Sequence, residues 1–462
     1  MDDLLLNNSG ELFINRNMVR IPVIVDGLSE RIRPIAKKLQ GDPYASFFKT
    51  PFHKVAYGCR GNILGECAMT PGDFNPGSPF DAFYAVREYI RNGRICFPRM
   101  YLYPTSRCNS ACPLCQFRKR HEESTSLSYD GIKQALKIFR RHSGEVKRQT
   151  LIISGDGEPT MFPYLQELLE ISNDLKLEVF LTTNLRCGYA GNRRLYELIA
   201  GTCSMVTVSI KGLSADSYAK HQGIQDSEEF GRVIDNLSFL TGARKELGRE
   251  DKLLLGVASL FLPENTPHYL TMADRLRSLG IDYFYINQVE PSVEHWGITF
   301  TKEETAETLR QLQTYASAPH KNMIVRFHEN PFVQRYGGTV YYDAAKERIH
   351  PEYCGSALFN PLVLSIDGKA VWKSCRNSEV FDDSSFEFQV CDDEIPLKAV
   401  GSIMEAASGC RSCRLERQVK HFDKIIDLEM SHHEDLDYYL VFNTERLLAS
   451  DSSLIKFESV VK

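Results

Sequence analysis

The sequence predicts an α/β protein built on an open parallel barrel of six strand-then-helix units, and two patterns carry that prediction. Short runs of β-branched and aromatic residues recur from about residue 99 onward, and a longer helical pattern follows each of them. Such repeats favour a parallel sheet with right-handed crossovers, and six units are fewer than the eight that close a full barrel. The predicted strands are 100–104, 150–154, 178–183, 204–210, 253–261 and 282–288. The predicted helices are 129–141, 162–175, 193–200, 228–246, 266–279 and 302–316.

The rest of the chain divides around this barrel. Residues 1–98 are predicted to form an N-terminal accessory region, 99–300 the barrel and 301–350 a helical connector. A small, loop-rich and cysteine-bearing domain, 351–415, precedes a C-terminal helical segment, 416–462. Active sites of such barrels lie at the carboxyl ends of the strands, so the loops that follow the strands are where chemistry is expected.

Composition and charge exclude several classes of protein. The 462 residues carry a formal net charge of −5, so bulk charge gives no reason to expect a nucleic-acid partner. No stretch reaches the roughly 18 apolar residues of a membrane span, and the opening residues do not resemble a secretory signal. We therefore expect a cytoplasmic protein without a membrane partner. In that reducing compartment its 13 cysteines indicate metal binding or catalysis rather than disulfides.

Three of these cysteines lie in one short loop directly after the first predicted strand. The segment SRCNSACPLCQF gives Cys108, Cys112 and Cys115 a C-x3-C-x2-C spacing. Cysteine thiolates bind the irons of a [4Fe–4S] cluster, and three ligands leave the fourth iron open to a small molecule. Zinc is the alternative, but zinc normally takes four ligands and no fourth one stands at suitable spacing nearby. The loop resembles the defining motif of radical S-adenosylmethionine (SAM) enzymes, including the apolar Leu114 before the last cysteine.

This resemblance implies that SAM binds the open iron and is reduced to a 5′-deoxyadenosyl radical. Further SAM contacts are expected where the later strands end. The segment SGDGEPT after the second strand resembles the family's glycine-rich motif, and Gly157 and Glu158 are expected near the SAM ammonium. Asp156 stands where the family usually has a glycine. The residues expected to bind SAM are Leu114, Gly155, Asp156, Gly157, Glu158, Thr183, Asn184, Ser209 and Asn287.

A second cysteine group follows the barrel. Four thiolates would complete a [4Fe–4S] cluster with no open iron, as suits electron transfer. The segment FNPLVLSIDGKAVWKSC, which follows Cys354 and ends at Cys375, predicts a β-hairpin that turns at Asp367-Gly368. The arrangement resembles the twitch domain, the one-cluster form of the SPASM extension of radical SAM proteins. A zinc site is the alternative, and Cys391 could replace one of the expected ligands, which are Cys354, Cys375, Cys410 and Cys413.

The substrate class is less constrained than the cofactor. Stretches such as SIKGLSADSYAKHQG and LGVASLFLPEN resemble amino-deoxysugar deaminases, and the layout of the two cysteine groups is similar to that of amino-cyclitol dehydrogenases. The resemblance implies oxidation, dehydration or deamination of a sugar, aminoglycoside or cyclitol in natural-product biosynthesis. Candidate bases are Lys211, which replaces an acid usual in related enzymes, His221, Glu290 and His295.

Maturation of a ribosomally made peptide is the alternative function. The strand-like ELFINRN and VRIPVIV, followed by the helix-like LSERIRPIAKKL, could offer a sheet edge to a leader peptide. Either reaction implies an electron donor such as flavodoxin or ferredoxin. A non-catalytic iron–sulfur scaffold is a third hypothesis, but it does not explain the SAM-site signals beside the cysteine loop.

Overall fold

The computed structural model describes the barrel most fully. The described residues are 94, 96–97, 99–115, 125–143, 149–187, 189–250, 252–287, 310–311 and 323–328, with short strands at 2–6, 12–16, 19–23, 362–366, 369–373, 387–389 and 455–456. Predictions for other residues lie outside this part of the chain. Of the helix predicted at 302–316, only residues 310–311 are described, and both are helical.

Strands outnumber helices among the described elements. The strands are β1 (Asp2–Leu6), β2 (Leu12–Arg16), β3 (Val19–Val23), β4 (Arg99–Tyr103), β5 (Thr150–Ile153), β6 (Glu178–Thr183), β7 (Cys203–Ser209), β8 (Leu254–Leu260), β9 (Tyr283–Asn287), β10 (Ile324–His328), β11 (Leu362–Ile366), β12 (Lys369–Lys373), β13 (Glu387–Gln389) and β14 (Ile455–Lys456). The helices are α1 (Tyr129–Arg141), α2 (Leu165–Asp174), α3 (Tyr189–Thr202), α4 (Ala215–Gln222), α5 (Glu229–Glu246) and α6 (Tyr269–Ser278). Two 3-10 turns, Pro159–Met161 and Pro263–His268, follow β5 and β8.

The barrel sheet confirms the predicted fold class. Strands β4 to β9 pair in parallel and in chain order, and each boundary lies within one residue of its prediction. The predicted strands are correct because each is a run of β-branched or aromatic residues that the sheet buries almost completely.

Helix α1 illustrates how the outer layer forms. Its buried residues Ile132, Ala135, Leu136 and Phe139 recur at helical spacing, so one stripe faces the sheet. The Ser128 side chain caps the helix by accepting the Gly131 N–H at 3.0 Å. The other long helices also bury apolar residues against the sheet and form one large core with its outer face.

The inner face of the barrel carries a second, aromatic cluster. It contains Tyr101, Tyr103, Ile152, Phe180, Met205, Leu254, Ala258, Tyr283 and Tyr285. The Tyr283 hydroxyl is 2.6 Å from Thr207 Oγ1, and its ring lies where a Cβ on Gly256 would be. Because these side chains fill the interior at mid-strand level, open space for a ligand is expected at the carboxyl ends of the strands.

The sheet also extends beyond six strands. On one side β10 pairs in parallel with β9, and on the other β11 pairs in parallel with β4. Strands β11 and β12 form the hairpin predicted around Asp367-Gly368, with Ile366 opposite Lys369. The segment boundaries given above stay a prediction, although this hairpin is continuous with the barrel sheet.

The N-terminal strands form a separate sheet with the order β14-β1-β2-β3. The pairs β1–β2 and β2–β3 are antiparallel. Strands β2 and β3 lie in the strand-like segments ELFINRN and VRIPVIV. Across the part of the chain that is described, no helix is both long enough and apolar enough to cross a bilayer.

Candidate functional site

The three-cysteine loop begins directly after β4, at the carboxyl end of the barrel. Cys112 is buried, whereas Cys108 and Cys115 are half-exposed. Burial raises the pKa of the Cys108 thiol to about 12, and the charges of Cys112, Cys115 and Glu158 act in the same direction. The three thiols therefore lie close enough to interact electrostatically, as ligands of one centre must.

Zinc and an iron–sulfur cluster make different demands on the cysteine loop. A zinc ion holds each cysteine sulfur at about 2.3 Å, so its ligands lie close together. Within the described residues, no three His, Cys, Asp or Glu side chains are arranged to hold one metal ion. In an iron–sulfur cluster each thiolate binds a different iron.

The glycine-rich turn after β5 packs under the cysteine loop. The Glu158 N–H donates to the Arg107 carbonyl at 2.8 Å. A Cβ on Gly157 would come within 2.3 Å of that oxygen and 2.7 Å of the Thr105 carbonyl. Only glycine permits this approach, so the turn and the loop are built as one unit.

Glu158 joins this turn to the end of β6. Its carboxylate accepts the N–H and hydroxyl of Thr160 at 3.0 and 2.8 Å, the Thr183 hydroxyl at 2.5 Å and the Asn184 N–H at 2.6 Å. Burial raises the pKa of Glu158, and these donors counteract part of the shift. Glu158 and Thr183, both expected at SAM, are thus held by the chain's own groups.

Residues after β6 hold the cysteine loop from another side. The Asn184 amide donates to Asn109 Oδ1 at 2.7 Å and to Ser110 Oγ at 3.2 Å. The Arg186 guanidinium donates to the Asn109 carbonyl and to Ser110 Oγ, and it forms a 3.0 Å ion pair with Glu229 of α5. Arg186 was not identified from the sequence, because an arginine after a strand carries no distinguishing pattern.

Helix α4 supports the loop from a third side. The Cys112 thiol donates to Gln222 Oε1 at 3.3 Å, and the Ala111 N–H donates to the Gln222 carbonyl at 3.1 Å. Gly223 ends the helix in the left-handed region, with φ of 64°, and lies against Ala111. This helix was not predicted from the sequence, although its Ser214 N-cap and its final glycine are ordinary helix-boundary signals.

Lys211 follows β7 and faces the same sulfur. Asn265 Nδ2 and Ser259 Oγ donate to the Lys211 carbonyl at 2.7 and 3.3 Å and fix its backbone. Burial raises the pKa of the Cys112 thiol, and the Lys211 ammonium, which interacts with this sulfur, counteracts part of the shift. The structure therefore puts a cation beside the cysteine loop.

His221 lies on α4 and is buried. Its Nε2 is 3.6 Å from Glu264 Oε2 and makes no hydrogen bond within the described part of the chain. Burial lowers the pKa of His221, Lys220 and Lys211 act in the same direction, and Glu264 opposes them. Burial therefore disfavours the charged form of the His221 imidazole.

The other expected residues have the following positions. Gly155 has φ of 139° and packs against the Tyr103 ring, and Asp156 is buried beside it. Leu114, Ser209 and Asn287 are half-buried, in the cysteine loop and at the ends of β7 and β9. The remaining predicted residues lie outside the described residues: Glu290, His295, Cys354, Cys375, Cys391, Cys410 and Cys413.

Comparisons with known proteins agree with this architecture. SuiB of Streptococcus suis bound to S-adenosylmethionine has a TM-score of 0.50 at 14% identity, with 88% of each chain covered. SuiB bound to its precursor peptide SuiA also has a TM-score of 0.50, at 13% identity, with 70% of this chain and 68% of that chain covered. The anSMEcpe structure with AdoMet and Kp18Cys peptide has a TM-score of 0.47 at 12% identity, with 76% of this chain and 99% of that chain covered. At these identities the two SuiB structures establish the fold alone. No protein of curated function matches the sequence significantly.

An open parallel barrel with three cysteines after its first strand is the arrangement that the cysteine motif predicted. Residues 102–240, which contain the cysteine loop and the glycine-rich turn, match the profile of the Radical SAM superfamily. These residues are therefore a radical SAM domain, and a [4Fe–4S] cluster and SAM are the cofactors that such a domain implies. The resemblance expected from the cysteine motif is thereby confirmed, whereas the narrower one to sugar deaminases is not.

Proposed function

We propose that Cys108, Cys112 and Cys115 bind the cluster, and that the enzyme abstracts a hydrogen atom from a carbon of its substrate. One observation carries this proposal: three interacting thiols lie at the carboxyl end of a partial barrel, on a loop supported from three sides. When bound, the cluster and SAM supply the 5′-deoxyadenosyl radical that removes the hydrogen atom.

The chain's own residues would bind and orient SAM. The turn formed by Gly155, Asp156 and Gly157 offers backbone groups beside the loop, and the Lys211 ammonium offers a cation for the SAM carboxylate. Ser209 and Asn287, at the ends of their strands, are proposed to contact the nucleoside. The aromatic interior of the barrel would exclude water from below the reacting carbon.

Iron content and SAM cleavage test the ligand assignment. We expect about eight irons per anaerobically reconstituted chain, four for each of two clusters. Replacing Cys108, Cys112 and Cys115 together with alanine should halve this number and abolish 5′-deoxyadenosine formation. A triple variant that still cleaves SAM would contradict the assignment.

The second cluster is proposed from the sequence. Its expected ligands are Cys354, Cys375, Cys410 and Cys413, and the described hairpin β11–β12 stands between the first two along the chain. A double substitution, Cys410→Ala with Cys413→Ala, should remove about four irons and leave part of the SAM cleavage. An unchanged iron content would rule out this site. Flavodoxin or ferredoxin in the cytoplasm is the proposed electron donor.

For the substrate we propose a ribosomally made peptide first, because the N-terminal sheet offers it an edge. Among the described strands, β3 pairs only with β2. Arg16 lies opposite Val19 and Phe13 opposite Pro22 in this antiparallel pair. Hydrogen-bonded and non-hydrogen-bonded pairs alternate along such a pair, and proline suits a non-hydrogen-bonded position of an edge strand. We therefore infer that the backbone groups of Pro22, and of Arg20 two residues before it, point outward. SuiB, a structural relative, is bound to its precursor peptide in one structure.

Peptide binding to this edge can be tested directly. Arg20→Pro removes an outward N–H, and it should weaken binding of a precursor peptide encoded beside the gene by about fivefold, the value of one hydrogen bond. Arg20→Ala keeps the N–H and serves as the control. Equal affinities of the two variants would exclude pairing at β3.

A sugar, aminoglycoside or cyclitol is the second substrate candidate, supported by the sequence resemblance alone. Product mass distinguishes its outcomes: loss of two hydrogens indicates oxidation, loss of water dehydration, and loss of ammonia deamination. Turnover of such a compound in the absence of peptide would replace the peptide proposal.

A further inference from the structure

The end of helix α4 makes a close contact with a proposed cluster ligand. The Gln222 side chain is 1% exposed and the Cys112 residue 8% exposed, so their 3.3 Å hydrogen bond is shielded from water. The backbone pair between Ala111 and Gln222 and the glycine at 223 fix the helix end against the loop. Gln222 is therefore held at Cys112 by the fold rather than by a flexible side chain alone.

Ligation of iron would change the chemistry of this contact. The free thiol donates to the Gln222 oxygen, but an iron-bound thiolate has no hydrogen and can only accept. A carboxamide carries its oxygen and its NH₂ group at equivalent ends, so rotation by half a turn brings Nε2 to the same place. The buried amide then donates an N–H to the Cys112 sulfur without any movement of the helix.

We propose that Gln222 is a positioning residue that donates its amide N–H to the Cys112 sulfur and raises the reduction potential of the SAM-binding cluster. The proposal rests on the proposed ligation by Cys108, Cys112 and Cys115. Hydrogen bonds to the sulfurs are among the factors that set cluster potentials. The reduced cluster carries one more negative charge, so a donor stabilises it more than the oxidised form.

Because Cys112 is buried, loss of the Gln222 donor should change the reduction potential of the cluster more than loss of a donor at Cys108 or Cys115 would. Water reaches Cys108 and Cys115 and can replace a lost protein donor there, but the side chains around Cys112 exclude it. Lys211 also faces Cys112 and remains in place when Gln222 is changed. A double-mutant cycle of the two residues therefore separates the neutral donor from the cation.

The test is a redox titration of the reconstituted full chain, followed by electron paramagnetic resonance. The signal that changes when SAM is added identifies the three-cysteine cluster and separates it from any second one. Gln222→Met removes the donor at similar volume, and Gln222→Asn keeps an amide but is one methylene shorter. Asp216→Asn, on the exposed face of the same helix, is the control.

We expect both Gln222 variants to retain their iron and to disfavour the reduced cluster by roughly three- to tenfold, a shift of about 30–60 mV to more negative potential for one electron. The control should titrate like the wild type. An unchanged potential with full iron content would overturn the inference. Loss of the cluster from both variants, in chains of normal helix content, would assign Gln222 to loop construction and overturn its tuning role. A wild type without a SAM-responsive signal would instead refute the proposed function itself.

Discussion

The Glu158 carboxylate accepts the backbone N–H of Asn184 at 2.6 Å, which ties the turn after β5 to the end of β6. Asn184 in turn donates to Asn109 and Ser110 of the cysteine loop. Three successive strand ends of the barrel are thereby connected through side chains, and Glu158 lies at the centre of the connection.

Glu158→Gln should destabilise this connection. The new NH₂ group would face donors that a carboxylate now satisfies, and each buried group left unpaired costs about 1–3 kcal/mol. We expect a lower midpoint of thermal unfolding and reduced iron loading. Glu170→Gln, which removes only an exposed partner of Arg194 at 3.7 Å, is the matched control and should change little. Equal losses in both variants would contradict the role given to Glu158.

Gly157→Ala should displace the backbone of the cysteine loop. A Cβ would meet the Arg107 carbonyl at 2.3 Å, so the loop backbone must move. We expect iron content to fall by half or more and SAM cleavage to fall with it. In α5, Gly231→Ala has no atom within 4 Å of the new methyl group and should stabilise the helix by about 0.5–1 kcal/mol. Full loading of the Gly157 variant would show that the loop tolerates the displacement.

Lys211→Met should weaken SAM binding without removing the cluster. The variant keeps the length of the side chain but loses the ammonium beside Cys112. Loss of one charge-assisted contact corresponds to roughly a tenfold increase in Kd, measurable by equilibrium dialysis of reconstituted protein. Lys245→Met, on an exposed position of α5, is the control. Unchanged SAM affinity would move Lys211 from cofactor binding to a role with the substrate.

Glu178→Gln should stabilise the protein in a pH-dependent way. Burial raises the pKa of Glu178 well above its ordinary value, which means that the folded state disfavours the ionised carboxylate. An acid with a raised folded pKa contributes most stability at low pH, and that contribution is lost as pH rises from the unfolded value through the folded one. The variant should therefore unfold at a higher temperature than the wild type at pH 8, and the difference should shrink as pH falls toward about 4.5. A constant difference across that range would exclude titration of Glu178 as the cause.

The barrel was predictable because its signals are local. Strands such as Thr150–Ile153 are short apolar runs, and the glycines and cysteines that follow them are recognisable by spacing. Helix α4 was missed because it has only eight residues and buries Ser217, Tyr218, His221 and Gln222 rather than an aliphatic stripe. Strand β10 was also missed. The pairing of β11 with β4 was missed because it joins residues such as Leu362 and Tyr101, and a pairing across 261 positions (362 − 101) leaves no local pattern.

The candidate site was predictable in part for the same reason. The cysteine loop and the glycine-rich turn have recognisable residue spacings, and the structure brings them together. The residues that hold the loop have no such local pattern. Gln222 contacts Cys112 across 110 positions of sequence, and Arg186 contacts Ser110 across 76. The support that these two residues give the loop is visible only in three dimensions.

The parallel pairing of Leu364 with Tyr103 has a practical consequence for anyone preparing the barrel by itself. A fragment cut at residue 300 would leave the backbone amide and carbonyl groups on one side of β4 unpaired, next to the loop that carries the proposed cluster ligands. Unprotected strands of this kind pair with other chains, so such a fragment should precipitate or oligomerise. The hairpin β11–β12 therefore protects the edge of β4, the strand that leads into the cysteine loop. The barrel and the hairpin are best expressed together.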